Sequence, residues 1–314
     1  MSGHLRSAQR ARALDQLSSP AGVIAGAAMD HRDSLQAVLA KRGLELDREG
    51  ITALKVRVAA ALAPAATMVL LDAEYAAAQA LAAGAVPGDT GLAVPLEGMG
   101  YGDVSRLEVT EFLEGWSPAA GRRLGACAAK LLLPYRVDVP GQAARQEQVV
   151  RTAVADCRAA GLALILEPVV YRRDGEERAG GDRFAELVVA GAERLAALEP
   201  DILKLQYPGS LDHCEALDRA CGPLIPWVLL GGGADAAVLE GQIEDACRAG
   251  ASGFIVGRTL FDAALVADPT ASQAALDEQC RPLLERLARI AEQLARPWRR
   301  RVGALPQPPY GWYV

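Results

Sequence analysis

The chain has 314 residues, of which 51% are hydrophobic, enough for one large core, and its formal net charge is only −6. The mild charge, with no basic stripe interleaved with aromatics, argues against a nucleic-acid partner. No apolar run reaches the length of a membrane span, and the basic N-terminus MSGHLRSAQRARALDQLSS has no apolar stretch behind it, so no signal peptide is read and a cytoplasmic location is expected.

In chain order, short apolar runs at residues 23–29, 68–71, 92–95, 126–132, 163–167, 202–205, 227–230 and 253–256 read as eight strands. Helix-like stretches fall between them, at 146–160, 182–198 and 235–249 among others, and 271–295 follows the last strand. Strands separated by helices pair in parallel through right-handed crossovers. They are apolar without clean alternation, as expected when both faces are covered. Eight such units predict a single-domain α/β protein, a (β/α)8 TIM barrel over residues 21–296. An open doubly wound sheet is the other arrangement, disfavoured because no GxGxxG follows the first strand.

Residues 1–20 read as a loose N-terminal extension. The end, residues 297–314, PWRRRVGALPQPPYGWYV, reads as a non-helical tail. Its aromatics Trp298, Tyr310, Trp312 and Tyr313 are expected to dock on the barrel, over its mouth, or on another subunit, and a homo-oligomer is expected.

Residue usage narrows the chemistry. Only four of the 33 basic residues are lysines: Lys41, Lys55, Lys130 and Lys204. Where a positive charge suffices, arginine serves equally in such a chain, so each lysine points to a need for a deprotonatable amine. The three histidines are His4, His31 and His213, too few and too scattered for a zinc centre, and neither a metal nor a cofactor is expected. The six cysteines form no CxxC pair and read as buried, reduced thiols.

In a barrel of this kind the reacting groups stand at the C-terminal ends of the strands. Strand one ends in Asp30-His31-Arg32, strand two in Asp72, strand three in Glu97. Strand four carries Lys130, strand five ends in Glu167, strand six carries Lys204 followed by Gln206. A charge inside an apolar strand is costly unless it is paired or used. Two neighbouring ammonium groups disfavour each other's charged form and burial acts the same way, so Lys130 and Lys204 are expected to have depressed pKa values, and Lys204 to attack a carbonyl. Glu167 is the natural proton carrier beside them. Asp30, His31, Arg32, Asp72 and Gln206 are expected to contact substrate. Asp33 and Ser34 are the better caps for the following helix, which leaves Asp30 free for the site. Strands seven and eight end in Gly231-Gly232-Gly233 and Gly257-Arg258, a phosphate cradle in which glycine N–H groups approach an anion and Arg258 grips two of its oxygens.

These pieces resemble a known family. AMDHR (28–32), MVLLD (68–72), AAKLLL (128–133), LEPVVY (166–171), DILKLQYP (201–208), PWVLLGGG (226–233) and AGASGFIVGR (249–258) are similar, in order, to segments of the tagatose-1,6-bisphosphate and sulfofructose-phosphate aldolases. The resemblance implies a metal-free class I aldolase with a barrel fold. By it, Lys204 matches the imine lysine, Glu167 the acid/base glutamate and Lys130 the second lysine. Gly232, Gly233, Gly257 and Arg258 match the phosphate site. Three positions depart: His31 stands where the family usually has Gln, Gln206 where it usually has Glu, and no serine accompanies the triple glycine. The function expected is Schiff-base cleavage of a phosphorylated ketose to dihydroxyacetone phosphate and an aldehyde, either glyceraldehyde 3-phosphate or sulfolactaldehyde. A sugar-phosphate isomerase or epimerase, with Glu167 as base, and a non-catalytic sugar-phosphate-binding barrel are the alternatives.

Overall fold

A computed structural model of the chain describes residues 3–98, 109–173, 176 and 181–303. Eight strands pair in sequence order, all parallel: β1 (Ile24–Ala28), β2 (Met68–Leu70), β3 (Gly91–Pro95), β4 (Ala128–Pro134), β5 (Ala163–Val169), β6 (Ile202–Gln206), β7 (Trp227–Leu230) and β8 (Gly253–Val256). β8 returns to lie against β1, with Gly26 level with Ile255, and closes the barrel. The longest pairing, β4 with β5, runs from Ala128↔Ala163 to Pro134↔Val169.

Helices cover the outside: α2 (Asp33–Lys41), α3 (Arg48–Leu62), α4 (Ala77–Ala82), α5 (Pro118–Leu124), α6 (Pro140–Ala160), α7 (Asp182–Ala196), α8 (Leu211–Ala220), α9 (Ala236–Ala249), α10 (Arg258–Phe261), α11 (Pro269–Ala275) and α12 (Arg281–Leu294). Local sequence explains their limits. Asp47 caps α3 by accepting from the Gly50 N–H, and Ser210 caps α8 by accepting from His213 N–H. α6 starts six residues before the sequence pattern suggests, because Pro140 opens it and the preceding Val139 offers no capping side chain. The single helix expected over 271–295 is broken by a π-helical turn at Leu276–Cys280, just ahead of Pro282, whose ring nitrogen cannot donate. On α12, Leu283, Leu284, Leu287 and Ala291 form the buried stripe that faces the barrel. Among the described residues no helix is long and apolar enough to cross a membrane.

The N-terminal segment is not loose. Residues Gly3–Gln16 form α1, and Leu14 and Leu17 are fully buried in the apolar cluster that fills the barrel. Arg10 pins this helix through its Nε, 3.0 Å from Asp201 Oδ1. The start of the tail is helical as well, α13 (Trp298–Val302). Trp298 is buried in the same cluster, its indole N–H donating to Ser18 Oγ at 3.1 Å and its backbone N–H to Gly22 O at 3.0 Å. Arg301 donates to Gly222 O at 2.5 Å, so α13 lies across the loops that precede β1 and β7, on the N-terminal face of the barrel. Tyr310, Trp312 and Tyr313 lie outside the described residues.

The apolar filling follows a period of two. Ile24, Ala28, Met68, Leu70, Ala93, Ala128, Ala163, Ile165, Ile202, Val228 and Ile255 belong to the inner cluster, while the alternate strand residues pack outward against the helices. Carrying each inward row one or two steps further up the strand gives Asp30, Asp72, Glu97, Lys130, Glu167, Lys204 and Gly257. The alternation absent from the hydropathy is present in side-chain direction. It raises a charged layer directly on top of an apolar plug.

Candidate active site

All six charged residues of that layer are buried, none more than 3% exposed. Above them opens a cavity of about 280 Å³, lined by Asp30, His31, Glu167, Lys204, Gln206, Gly231, Gly232, Gly233, Gly257 and Arg258, with Ser34 on its rim.

Lys130 lies beneath the cavity, 0% exposed, inside a cage of carboxylates. Its Nζ is 2.6 Å from Glu97 Oε1, 2.9 Å from Asp30 Oδ2 and 3.1 Å from Glu167 Oε2. The expectation that Lys130 has a depressed pKa is therefore overturned. Burial does push the ammonium that way, but Asp30, Glu167 and Glu97 together outweigh it and hold the group protonated well above the usual lysine range. Burial likewise opposes ionisation of Asp30, and the cationic neighbours, Lys130 foremost, hold its carboxyl well below the usual range. Glu97 shifts the other way: burial raises it more than Lys130 lowers it. Lys204 has a different environment. The residue lines the cavity, and among the described residues Glu167 is the carboxylate in ion-pair range of its Nζ, at 3.1 Å.

His31 faces the cavity beside Asp30. Burial pushes its imidazole down to about 3, with Lys204 and Arg258 acting in the same direction, so the ring is neutral at physiological pH. Its ring sits where a side chain on Gly257 would project, which leaves only glycine at that position, and meets Phe261 edge-on at 6.1 Å between centroids. Gln206 lines the opposite wall, with Oε1 accepting from the Val170 N–H at 2.7 Å.

Two expected substrate contacts are not in the cavity. Arg32 turns away to donate to Glu74 Oε2 at 2.6 Å and to Glu97 O at 2.7 Å, because its long side chain finds both partners in the loops after β2 and β3. Asp72, though inward, is covered by the buried Lys55, with which it is ion-paired, and by the backbone N–H groups of Glu74 and Tyr75. Nor do Asp33 and Ser34 cap α2. Arg32 occupies the N-cap position without a side-chain cap, and Asp33 and Ser34 fall in the first turn.

The glycine-rich loops stand as expected from their composition. Gly232 and Gly233 adopt φ of 59° and 75°, and a Cβ on Gly233 would lie 3.3 Å from the Arg258 guanidinium. The loop and the arginine thus converge, and among the described residues Arg258 has no carboxylate in ion-pair range. An anion would find backbone N–H groups and an uncompensated cation on one wall. A larger pocket of about 520 Å³ lies outside the same loops, shares Gly232, Gly233 and Arg258 with the cavity, and contains neither lysine. Of the two, the smaller cavity is the one lined by Lys204 and Glu167.

Sequence reasoning names Glu97 at the end of strand three without giving it a role, and leaves Lys55 and Ser34 out of the site. Counting by twos from Ala93 through Pro95 finds Glu97. Nothing local marks Lys55, which reaches Asp72 from α3. Ser34 was assigned to a cap it does not form. The six cysteines are all buried free thiols; burial pushes Cys127 and Cys280 up to about 11 and Cys214 and Cys247 up to about 12. Among the described residues no three His, Cys, Asp or Glu side chains group as a metal site.

Comparison with known proteins agrees with this geometry. A family model described as DeoC/LacD family aldolase matches residues 24–263, from the first strand to just past the Arg258 loop. A tagatose 1,6-diphosphate aldolase of Streptococcus agalactiae serotype V is 25% identical over 93% of this chain and 98% of its own. One from Staphylococcus aureus strain JH9 is 27% identical, over 83% and 87% respectively. Among solved structures, an archaeal fructose-1,6-bisphosphate aldolase, with its catalytic Lys covalently bound to the carbinolamine intermediate of the substrate, superposes with a TM-score of 0.61 at 16% identity. That alignment covers 91% of this chain and 99% of the archaeal one, and at such low identity it speaks for the fold alone. The closed eight-stranded parallel barrel and the family match over most of its length lead to one conclusion: the chain belongs to the DeoC/LacD aldolase family.

Proposed function

We propose that the chain is a class I aldolase that cleaves a phosphorylated ketose through an imine on Lys204, without a metal ion. The observation that carries this reading is that Lys204 and Glu167 line one cavity with Lys204 Nζ 3.1 Å from Glu167 Oε2. The relatives named tagatose 1,6-diphosphate aldolase support the same reaction class.

In this scheme the substrate phosphate rests on Gly231, Gly232, Gly233, Gly257 and Arg258. Lys204, as the free amine, adds to the C2 ketone and gives a carbinolamine. Glu167 protonates the departing hydroxyl, water leaves and an iminium forms. Glu167, or a water it holds, then takes the C4 hydroxyl proton. The C3–C4 bonding pair flows into the iminium, which releases the aldehyde, glyceraldehyde 3-phosphate or sulfolactaldehyde, and leaves an enamine. Protonation at C3 and hydrolysis by water return dihydroxyacetone phosphate and the lysine. Lys130 stays an ammonium throughout and supplies a fixed positive charge below the reacting carbon. Asp30 holds that ammonium, and His31 and Gln206 offer neutral hydrogen-bonding groups to the sugar.

Borohydride reduction during incubation with dihydroxyacetone phosphate tests the reading. The expected product is a stable three-carbon phosphate adduct on the peptide containing Lys204, formed equally well in a strong chelator. Turnover of a ketose 1-phosphate with no adduct on any lysine would overturn it.

A further inference from the structure

Ser34 falls in the first turn of α2, two residues after the N-cap position held by Arg32. The residue is only half-buried, but its Oγ is buried and has no hydrogen-bond partner among the described residues. A hydroxyl shielded from water costs free energy unless something pairs it, so such an atom calls for an explanation. It is not a helix cap, because the N-cap position belongs to Arg32. It does line the cavity, together with Gly232, Gly233, Gly257 and Arg258.

One contact and one shared pocket place this part of α2 beside the anion cradle. The His31 ring is packed on Gly257, which ties the β1–α2 loop to the end of β8. Val38, four residues beyond Ser34 and so on the same helix face, lines the outer pocket with Arg258 and Leu260. Ser34 therefore stands on the β1–α2 side of the cavity that the cradle also lines. Arg258 brings charge and the glycine loop brings N–H groups, while a tetrahedral oxyanion has oxygens left to satisfy.

We propose that Ser34 is a further substrate-binding residue, whose Oγ–H donates to the phosphate held by Arg258 and the glycine loop. The inference rests on the aldolase reading for the identity of the substrate, but the anion contact can be tested without it. Inorganic phosphate is the probe, titrated by calorimetry into the wild type, Ser34→Ala and Ser34→Thr. Loss of one neutral hydrogen bond should weaken phosphate about fivefold in Ser34→Ala, with Ser34→Thr near wild type. KM for a ketose phosphate should rise by a similar factor at unchanged kcat. Borohydride trapping of unphosphorylated dihydroxyacetone on Lys204 should be unaffected by Ser34→Ala. Phosphate affinity equal in the wild type and Ser34→Ala overturns the proposal. So does an equal loss toward dihydroxyacetone, which would put the hydroxyl on the sugar. If wild-type protein forms no adduct with either ketone, the aldolase reading fails, and the calorimetry still decides whether Ser34 holds an anion.

Discussion

Glu167 Oε2 lies 3.1 Å from the Nζ of Lys130 and 3.1 Å from the Nζ of Lys204. One carboxylate oxygen thus serves two lysines in opposite conditions. Lys130 is enclosed by Asp30 and Glu97 as well and remains an ammonium, whereas Lys204 opens on the cavity. The cage holds the Lys130 ammonium against Glu97, which does not line the cavity, and against Asp30 and Glu167, which do, while Glu167 also lies within reach of Lys204. Sequence scarcity alone marks both lysines as special; the surroundings separate a caged cation from a lysine that lines the cavity.

This division predicts different outcomes at the two positions. Lys204→Arg keeps a charge but its guanidinium cannot form an imine, so adduct and turnover should both vanish. Lys130→Arg should still yield the Lys204 adduct, with kcat reduced about tenfold to hundredfold by the displaced partners. Mass mapping of reduced adducts checks both, and an adduct on Lys130 in wild-type protein would reverse the assignment.

Glu97 should act through Lys130. It touches the ammonium at 2.6 Å, accepts from the Leu132 N–H at 3.1 Å, and does not line the cavity. Glu97→Gln preserves the shape but removes one negative charge from a cluster that also contains Asp30, Glu167, Lys130 and Lys204, with Arg32 and His31 alongside. With less negative charge nearby, protons are held less tightly, so the kcat/KM profile should move toward lower pH. KM should change little, and kcat should fall about tenfold or more. In a Lys130→Arg background, Glu97→Gln should add much less than it does alone; full additivity would mean that it acts by another route.

Much of the barrel was legible because its strands are apolar on both faces and are separated by amphipathic runs. Every one of the eight expected strands overlaps an observed one, and the ends differ by a few residues where hydropathy does not mark the last ladder bond. That Lys204, Glu167, Gly233 and Arg258 share one cavity could be expected because strand ends and glycine loops have local signatures. The fates of Arg32, Asp72 and Ser34 could not. Arg32 is long enough to reach two loops, Asp72 meets a lysine from a helix seventeen residues earlier, and Ser34 depends on where β8 ends. Each depends on distances across the barrel mouth that the one-dimensional pattern does not encode. The same holds for α1 and Trp298, which meet beneath the barrel from opposite ends of the chain.

Arg258→Ala should raise KM for the phosphorylated substrate and weaken inorganic phosphate, since the guanidinium faces the cavity with no carboxylate in ion-pair range among the described residues. A desolvated charge contact of this kind is typically worth about 2–5 kcal/mol, a far larger effect than that expected at Ser34. Arg258→Lys should recover only part of it, because one ammonium cannot grip two oxygens. An unchanged KM would move the phosphate to another wall.

His31 should make the fold sensitive to acid. Its folded pKa is pushed down to about 3, while an unfolded imidazole titrates near about 6.5. The unfolded chain therefore takes up a proton that the folded chain refuses. The stability from burying the neutral ring is complete above about pH 6.5 and drains away as the pH falls toward 3. Between pH 7 and pH 5 the wild type should lose about 1–2 kcal/mol more than His31→Gln in matched denaturant titrations. Parallel losses in the two proteins would show that the ring is not held neutral.

Trp298 should matter for stability and not for chemistry. Its side chain is 1% exposed, seals the N-terminal face together with Leu14 and Leu17, and donates to Ser18 Oγ at 3.1 Å. The charged layer lies beyond the apolar plug, toward the opposite end of the barrel. Trp298→Ala removes a fully packed aromatic and leaves a cavity, which should cost about 3–5 kcal/mol in chemical denaturation. Trp298→Phe retains most of the apolar area and loses mainly the indole hydrogen bond, so it should cost less, about 1–2 kcal/mol. In both variants, under conditions where they are folded, the rate of borohydride trapping on Lys204 should match the wild type. A loss of trapping without a loss of stability would mean that the C-terminal segment reaches the chemistry itself, and would shift attention from the barrel floor to its mouth.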